Sequence, residues 1–322
     1  MINNKKITSV AVYERKILFR SWFFKIFSLL TLLILFFMNI ALFANEWTQW
    51  VHRAIPANLP LINVLYVNVA QAVIAVFLAS EFLKQDKKLD TTEVIYARPI
   101  SNGEYVVGKI LGILILFIGL VLVILLMSLI FNIVIKDTPV VWSAYLFYPL
   151  LITVPTLIFI LGLSFLLMIL FRSQALTFLV LLGYITLTLF YFEDRLYGTL
   201  DYMAFNLPMV YSDIIHFSDF KAIILQRGSY FLLGISFIFA TIRFMGRLPQ
   251  VGRLNFINTI GFILCFSTGL FLSWTYFNHH DLEKTERNRF LKLNNQFATM
   301  NTVDVLSNDL SPGGLKKRHL AL

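Results

Sequence analysis

A short stretch between Gly103 and Ile110 comes close to a pattern that binds nucleotides. Its letters, GEYVVGKI, match G-x-x-x-x-G-K of a phosphate-binding loop, but that loop needs Ser or Thr after the lysine to hold magnesium, and Ile110 stands there. The spacer is bulky where the backbone must approach phosphate, and the segment runs directly into an apolar stretch of membrane-spanning length. We therefore reject nucleotide binding in this segment.

A second cluster has the side-chain types of a metal site: His279, His280, Asp281 and Glu283. Adjacent histidines on a helix point about 100° apart, so they rarely share one metal ion. The single cysteine, Cys265, lies in an apolar stretch, which excludes a thiolate metal site and an intrachain disulfide. We predict no metal site, no catalytic residues and no enzymatic activity in this chain.

The elements that carry these residues are apolar helices. Hydrophobic residues make up 58% of the 322 positions and charged residues 14%, against about 25% charged in a soluble domain. Crossing a bilayer takes about 20 apolar residues per helix. Seven charge-free windows of that kind predict an all-α polytopic membrane protein with about seven spans: 26–44, 61–82, 110–135, 140–171, 175–192, 228–244 and 256–276. Pro149 and Pro155 predict an interfacial start or a kink in the fourth window.

Basic residues set the orientation. The predicted outer loops hold few cations, namely Arg53, Lys136, Arg195, Lys221 and Arg227, whereas Lys and Arg are frequent in the segments on the other side. The positive-inside rule therefore places the N-terminus in the cytoplasm and, after seven spans, the C-terminal tail outside. Because the net charge of +9 follows the membrane in this way, we expect membrane lipids as partners and no nucleic acid.

Ionisable side chains are missing from the middle of every window. Such groups are expensive in a bilayer and usually mark ion-coupled carriers, pumps or intramembrane proteases, so their absence weakens those functions. The mid-span polar residues include Asn39, Asn63, Asn68, Gln71 and Asn132. Hydrogen bonds between helices are the ordinary role of such residues. Asn68 and Gln71 can share a helical face, and they are our candidates for lining a substrate path.

Three further segments flank the spans. Residues 1–25 have apolar positions at helical spacing among basic ones, which predicts an amphipathic helix on the inner membrane surface. Residues 193–227 are apolar enough to predict short helices at the outer interface. The tail 277–322 begins as a charged helix and ends in alternating runs around Ser311-Pro312-Gly313-Gly314, which predict a short β-hairpin. A lone hairpin is only marginally stable, so this one either packs on something else or belongs to a larger extracytoplasmic domain.

The long polar connection on the inner side, 81–109, carries balanced charge. Asp90 before Glu93, and Ser101 before Glu104, each form a pattern that starts a helix, and Pro99 separates the two. This connection resembles the inner loop of type-2 ATP-binding-cassette (ABC) transporter permeases. The matching positions are Glu81, Lys84 with Asp86, Thr91 or Thr92 with Glu93, Pro99 with Ser101, and Gly108 with Lys109.

The resemblance implies a permease subunit of an ATP-driven exporter. A separate ABC ATPase, which binds ATP and magnesium, would dock on the coupling segment 83–109, and a second permease subunit, identical or related, would enclose the path. The chain itself would need no cofactor. The implied docking residues are Glu81, Lys84, Asp86, Thr92, Glu93, Arg98, Pro99, Ser101 and Lys109.

The resemblance also implies a division of the chain and a location. It gives a six-span permease domain at 26–246, an additional seventh span at 247–276 and an outer tail at 277–322. Plain members of the family have six spans and both ends inside, whereas larger bacterial relatives carry extracytoplasmic additions. We therefore expect the cytoplasmic membrane of a bacterium.

Two other functions stay open at this point. The seventh span and its exported tail fit a membrane anchor or assembly scaffold that presents an outer domain and transports nothing. A secondary carrier is the weaker alternative because the spans lack charge. The sequence does not specify the substrate, and it leaves open whether two permease subunits would be identical.

Overall fold

Apolar helices dominate the fold. The structure is a computed structural model that describes residues 4–44, 55–80, 100–135, 139–192, 196–212, 216–245 and 252–309. The chain divides into two compact units, Met1–Tyr276 and Phe277–Leu322, and the boundary coincides with the predicted start of the tail. The helices in chain order are α1 Asn4–Arg20, α2 Trp22–Asn39, α3 Asn58–Ser80, α4 Asn102–Val134, α5 Trp142–Tyr148, α6 Val154–Phe171, α7 Gln174–Phe190, α8 Phe220–Phe244 and α9 Gly252–Asp309.

The predicted all-α polytopic architecture is confirmed. Within the described residues, six helices are long and apolar enough to cross a membrane: Trp22–Phe43, Asn58–Leu78, Asn102–Val134, Trp142–Phe171, Phe220–Phe244 and Asn255–Lys292. The fifth predicted window forms the shorter apolar helix α7, of 17 residues. The chain is therefore a multi-pass membrane protein.

Local departures from α-helical geometry follow the sequence. A π-helical turn, Pro149–Thr153, joins α5 to α6 within one continuous span, at the point where the prolines predict an irregularity. A second π-helical turn, Ile40–Ala44, extends α2. At the N-terminus, α1 is a separate helix, as predicted for 1–25, and one residue, Ser21, lies between it and α2.

Close helix packing depends on glycine at one central crossing. Helix α8 packs along α6, and Gly162 and Gly234 lie at the contact. A Cβ atom added at Gly234 would lie 2.7 Å from the Cα of Phe159, so only glycine lets the two backbones approach this closely. This contact belongs to a core that α3, α4 and α7 also share.

The segment between α7 and α8 differs from the prediction. Among its described residues it has one 3₁₀ turn, Leu196–Gly198, and a two-residue antiparallel pair, β1 Tyr211–Ser212 with β2 His216–Phe217, in which Tyr211 pairs with Phe217. The predicted short helices correspond here to that 3₁₀ turn and to the first residues of α8, while the described residues of 199–217 are not helical. Helix α8 also begins at Phe220, eight residues before the predicted window, and Asp219 caps it.

The C-terminal tail is helical as far as Asp309. The predicted hairpin there is wrong in its first strand, because residues 302–309 continue α9. The alternating pattern of that run also allows a helix, since no Gly or Pro interrupts it before Pro312. The Ser311-Pro312-Gly313-Gly314 turn and the second strand lie outside the described residues.

Candidate functional site

Most of the predicted docking residues lie outside the described residues. These are Glu81, Lys84, Asp86, Thr92, Glu93, Arg98 and Pro99. Ser101 and Lys109 are described, and they lie in the first turns of α4, where the coupling segment passes into the membrane. The described part of the candidate site is therefore the place where the coupling segment enters α4. We call Ser101, Asn102 and Lys109, with their partners Glu14 and Met245, the inner junction.

Ser101 starts α4 with a capping box. The Ser101 hydroxyl accepts a hydrogen bond from the Glu104 amide at 3.2 Å, and the Ser101 amide donates to Glu104 Oε2 at 2.9 Å. These two bonds satisfy amides that a helix start leaves unpaired. The predicted helix start at Ser101 is confirmed, and α4 begins with a well-defined first turn.

The next residue fastens this turn to another span. Asn102 is buried, and its side-chain amide donates to the Met245 carbonyl at 2.9 Å, just beyond the end of α8. The inner ends of α4 and α8 are thereby joined by a hydrogen bond that connects positions 102 and 245. A displacement of Asn102 would act on α8 as well as on α4.

Lys109 forms a buried ion pair with α1. Its Nζ lies 3.4 Å from Glu14 Oε2, and the lysine is 4% exposed. The same face carries Gly108 and Gly112, where added Cβ atoms would lie 2.7 Å from Val10 Cβ and 2.8 Å from the Ala11 carbonyl oxygen. The Lys109 side chain thus joins α1 to α4 and is not presented at the surface in this structure; its role in docking stays a prediction.

The rejected nucleotide-binding pattern is part of the same helix. Residues 103–110 lie inside α4, so their amides serve the helix instead of forming an open loop. Gly108 is glycine because α1 crosses here at short distance.

A second polar site lies in the segment between α7 and α8. Each of the seven consecutive carbonyls of residues 197–203 accepts a hydrogen bond from a side chain of a helix. We call residues 197–203 the outer clasp. The donors are Tyr276 to Tyr197, Gln226 to Gly198, Tyr230 to Thr199, Tyr184 to Leu200, Gln226 and Arg227 to Asp201, Thr156 and Arg227 to Tyr202, and Asn68 to Met203.

Arg227 is the central donor of the outer clasp. It is 1% exposed, and its Nη2 donates to the Tyr202 carbonyl at 2.9 Å and to the Asp201 carbonyl at 3.3 Å. Sequence reasoning placed this cation in an outer loop. The structure instead buries it in α8, where backbone carbonyls compensate for its lost hydration.

Asp201 shapes the outer clasp from within. Its carboxylate accepts from the Met203 amide at 3.1 Å and from the Asn206 amide at 2.8 Å, which closes a tight turn. Burial raises the pKa of this carboxyl, while the bond from Asn206 and the nearby charge of Arg227 act in the opposite direction. Sequence reasoning missed both ionisable groups, because apolar neighbours gave no sign that these polar residues meet.

Asn68 and Gln71 belong to this same network. Both are fully buried; Asn68 donates to Met203 and to the Thr156 hydroxyl at 3.0 Å, and Gln71 donates to Asn68 Oδ1 at 2.8 Å. They do share a helical face, as the spacing predicts. In this structure they hold the outer clasp, and their role in lining a path stays a prediction.

The remaining mid-span asparagines join neighbouring helices. Asn39 of α2 and Asn63 of α3 exchange two reciprocal side-chain bonds of 2.9 and 2.8 Å, and Asn132 of α4 donates to the Tyr145 hydroxyl at 2.9 Å. These contacts confirm the interhelical role that such residues ordinarily have.

Neither polar site contains a nucleophile set against a base; both consist of contacts that connect helices. These contacts join α1, α4 and α8 at the inner side and join the spans to the outer clasp. The sequence matches none of the curated proteins with which it was compared. Residues 10–232, more than two thirds of the chain, match the family model described as ABC-2 family transporter protein. The match begins in α1 and ends within α8, so it covers the outer clasp and all of the inner junction except Met245. The chain belongs to the ABC-2 family of membrane transporter proteins.

Proposed function

We propose that this chain is the transmembrane permease subunit of an ATP-driven exporter in a bacterial cytoplasmic membrane. A separate ABC ATPase, with its ATP and magnesium, supplies the energy, and a second permease subunit completes the path. The chain contributes the route through the membrane and no catalysis. Family membership supports this role in general, and the inner junction supports it in particular.

The observation that carries the proposal is the way α4 receives the coupling segment. Ser101 caps the helix, Asn102 binds the end of α8, and Lys109 binds α1 through Glu14. A force applied before Ser101 therefore acts on three helices together.

The coupling segment 83–109 is the proposed docking surface for the ATPase. Its charged residues outside the described region, Arg98 and Glu93 among them, would contact the partner. Ser101 and Lys109 would then act behind that surface, by fixing the helix that moves. In this proposal the movement of the spans also reaches Asn68 and Gln71, which lie at the outer clasp.

Copurification tests the proposal directly. The full chain is purified from its native membrane under mild conditions, and we expect an ABC ATPase to accompany it. Reversing charge in the segment, with Arg98→Glu and Glu93→Lys made singly, should reduce the ATPase recovered and lower ATP-dependent transport in vesicles. Arg243→Glu is the matched control, because Arg243 is an exposed cation at the inner end of α8.

A scaffold or anchor gives a different pattern. In that case no ATPase copurifies, and charge reversal at Arg98 leaves both complex composition and vesicle transport unchanged. Uptake driven by an ion gradient without ATP would instead indicate a secondary carrier. Either outcome would contradict the proposed function.

A further inference from the structure

A groove of about 760 Å³ lies between the end of α1, the first half of α2 and the middle of α4. Three cations line it from α1, namely Arg15, Lys16 and Arg20, and all three are exposed. Among the described residues none of them has an ion-pair partner. The groove thus presents concentrated positive charge that nothing in the described part of the protein neutralises.

Beyond these cations the groove is apolar. Its walls include Phe24 and Leu32 of α2 and Leu120 and Val123 of α4. Leu32 lies about 15 Å along α2 from Trp22, at 1.5 Å per residue, so the apolar walls continue well away from the charged end. Ser28 also lines the groove, and its hydroxyl has no hydrogen-bond partner among the described residues.

Gly119 borders open space in the groove. A Cβ atom added at this position would meet no atom within 4 Å, and Gly119 lines the groove in the middle of α4. The missing side chain leaves space on an otherwise bulky helix face. This space lies between the walls of α2 and α4, where a hydrocarbon chain would pack.

We infer that this groove is a binding site for an anionic phospholipid of the inner leaflet. The phosphate headgroup pairs with Arg15, Lys16 and Arg20, and an acyl chain lies along the apolar walls past Gly119. Juxtamembrane Lys and Arg clusters attract anionic lipids in this way, on the side that the positive-inside rule assigns to the cytoplasm. A zwitterionic lipid also carries a phosphate, but its ammonium group cancels that charge, so the lipid would leave the net positive charge of the groove uncompensated.

The site is independent of ATP-driven transport, since it rests on the groove alone. A bound lipid would bridge α1, α2 and α4, and α1 and α4 also meet through Glu14 and Lys109. We therefore expect anionic lipid to raise the thermal stability of the protein, in addition to binding it.

Native mass spectrometry of the full chain tests the site. The protein is exchanged into detergent with phosphatidylglycerol or phosphatidylcholine of identical acyl chains, and the lipid retained by each is measured. We expect selective retention of phosphatidylglycerol. Arg15→Gln with Arg20→Gln should weaken this retention about thirtyfold, because two surface cations at about 1 kcal/mol each contribute about 2 kcal/mol. The same charge change at Arg172 and Arg243, two exposed cations outside the groove, should leave it unchanged.

The apolar part of the site has its own variant. Gly119→Trp should fill the groove and abolish selective retention, whereas Gly183→Trp, at another mid-span glycine with no atom within 4 Å of an added Cβ, should not. The melting temperature of each variant is measured to check that it folds. The inference is overturned if the two lipids are retained equally, or if either groove variant behaves like its control. It is also overturned if Gly119→Trp dissociates a dimer without changing lipid retention, which would make the groove a contact between two copies.

Discussion

Arg227 Nη2 donates a hydrogen bond of 2.9 Å to the carbonyl oxygen of Tyr202, deep within the outer half of the protein. The guanidinium of α8 thereby holds the backbone of a segment that is mostly irregular after its 3₁₀ turn, Leu196–Gly198. Hydrogen bonds to a charged donor are each worth about 1.5–3 kcal/mol, more than those between neutral groups. Arg227 therefore contributes more to holding this segment than a neutral donor in its place would.

Replacing Arg227 by methionine should loosen the outer clasp. The Tyr202 and Asp201 carbonyls keep Thr156 and Gln226 as donors, so we expect a moderate loss of stability, about 2 kcal/mol. Amide exchange at Met203 and Asn206 should accelerate, because their amides depend on the position of Asp201. Hydrogen exchange with mass spectrometry measures this effect.

Lys221→Met is the matched control for this change. Lys221 lies on the same helix and is exposed, so its removal should leave exchange in residues 199–206 unchanged. Equal exchange in the Arg227→Met protein and the wild type would show that Arg227 does not hold the segment.

Gly234→Ala should destabilise the crossing of α6 and α8. The new Cβ would lie 2.7 Å from backbone atoms of Phe159, and backbone cannot move aside as a flexible side chain can. Overpacking of this kind costs about 1–3 kcal/mol. Thermal unfolding in detergent should show a lower melting temperature. A Cβ atom added at Gly183 would meet no atom within 4 Å, so Gly183→Ala should be neutral or slightly stabilising. A melting temperature of Gly234→Ala at or above that of Gly183→Ala would contradict the close contact between α6 and α8.

The spans were predictable because burial in lipid requires long apolar runs, and such runs are visible in the sequence. The helix start at Ser101 was predictable for a similar reason, since a capping box needs only Ser101 and Glu104, three residues apart. The start of α8 was missed because Arg227 ends the charge-free window. Hydropathy alone does not show that backbone carbonyls of the same chain bind the Arg227 guanidinium.

The polar sites depend on residues far apart in sequence. Asn68 meets Met203, and Glu14 meets Lys109, only because the helices fold against each other. Nothing within either segment specifies the partner. Sequence reasoning therefore named Asn68, Gln71 and Lys109 as polar candidates but not their partners. The structure adds these contacts: Asn68 binds Met203, Gln71 binds Asn68 of the same helix, and Lys109 binds Glu14. The roles in a path and in docking stay predictions.

Ser101→Ala should uncouple the coupling segment from α4. Losing an N-cap costs about 0.5–2 kcal/mol, and the first turn of α4 should fray, with faster amide exchange at residues 102–105. If the proposed function holds, ATP-dependent transport should fall while the amount of copurified ATPase stays constant. Ser173→Ala removes another N-cap serine, that of α7, and should leave transport unchanged. Equal transport by the two variants would argue against a mechanical role for Ser101.

The Glu14–Lys109 pair allows the sharpest test of the joint between α1 and α4. Glu14→Leu alone leaves a buried, uncompensated lysine, and we expect a loss of about 3–5 kcal/mol. Lys109→Met alone leaves the buried carboxylate and should cost a similar amount.

The double variant, Glu14→Leu with Lys109→Met, removes both charges and should recover most of the stability, since apolar residues of similar size replace buried ion pairs well. Thermal unfolding of the four proteins gives the coupling energy. If the two single losses simply add in the double variant, the residues do not interact. A double variant that is stable but transports poorly, with interacting residues, would show that the ion pair serves the movement of α4 against α1. The fold would not explain the loss, because the packing at Gly108 and Gly112 would still hold the two helices together.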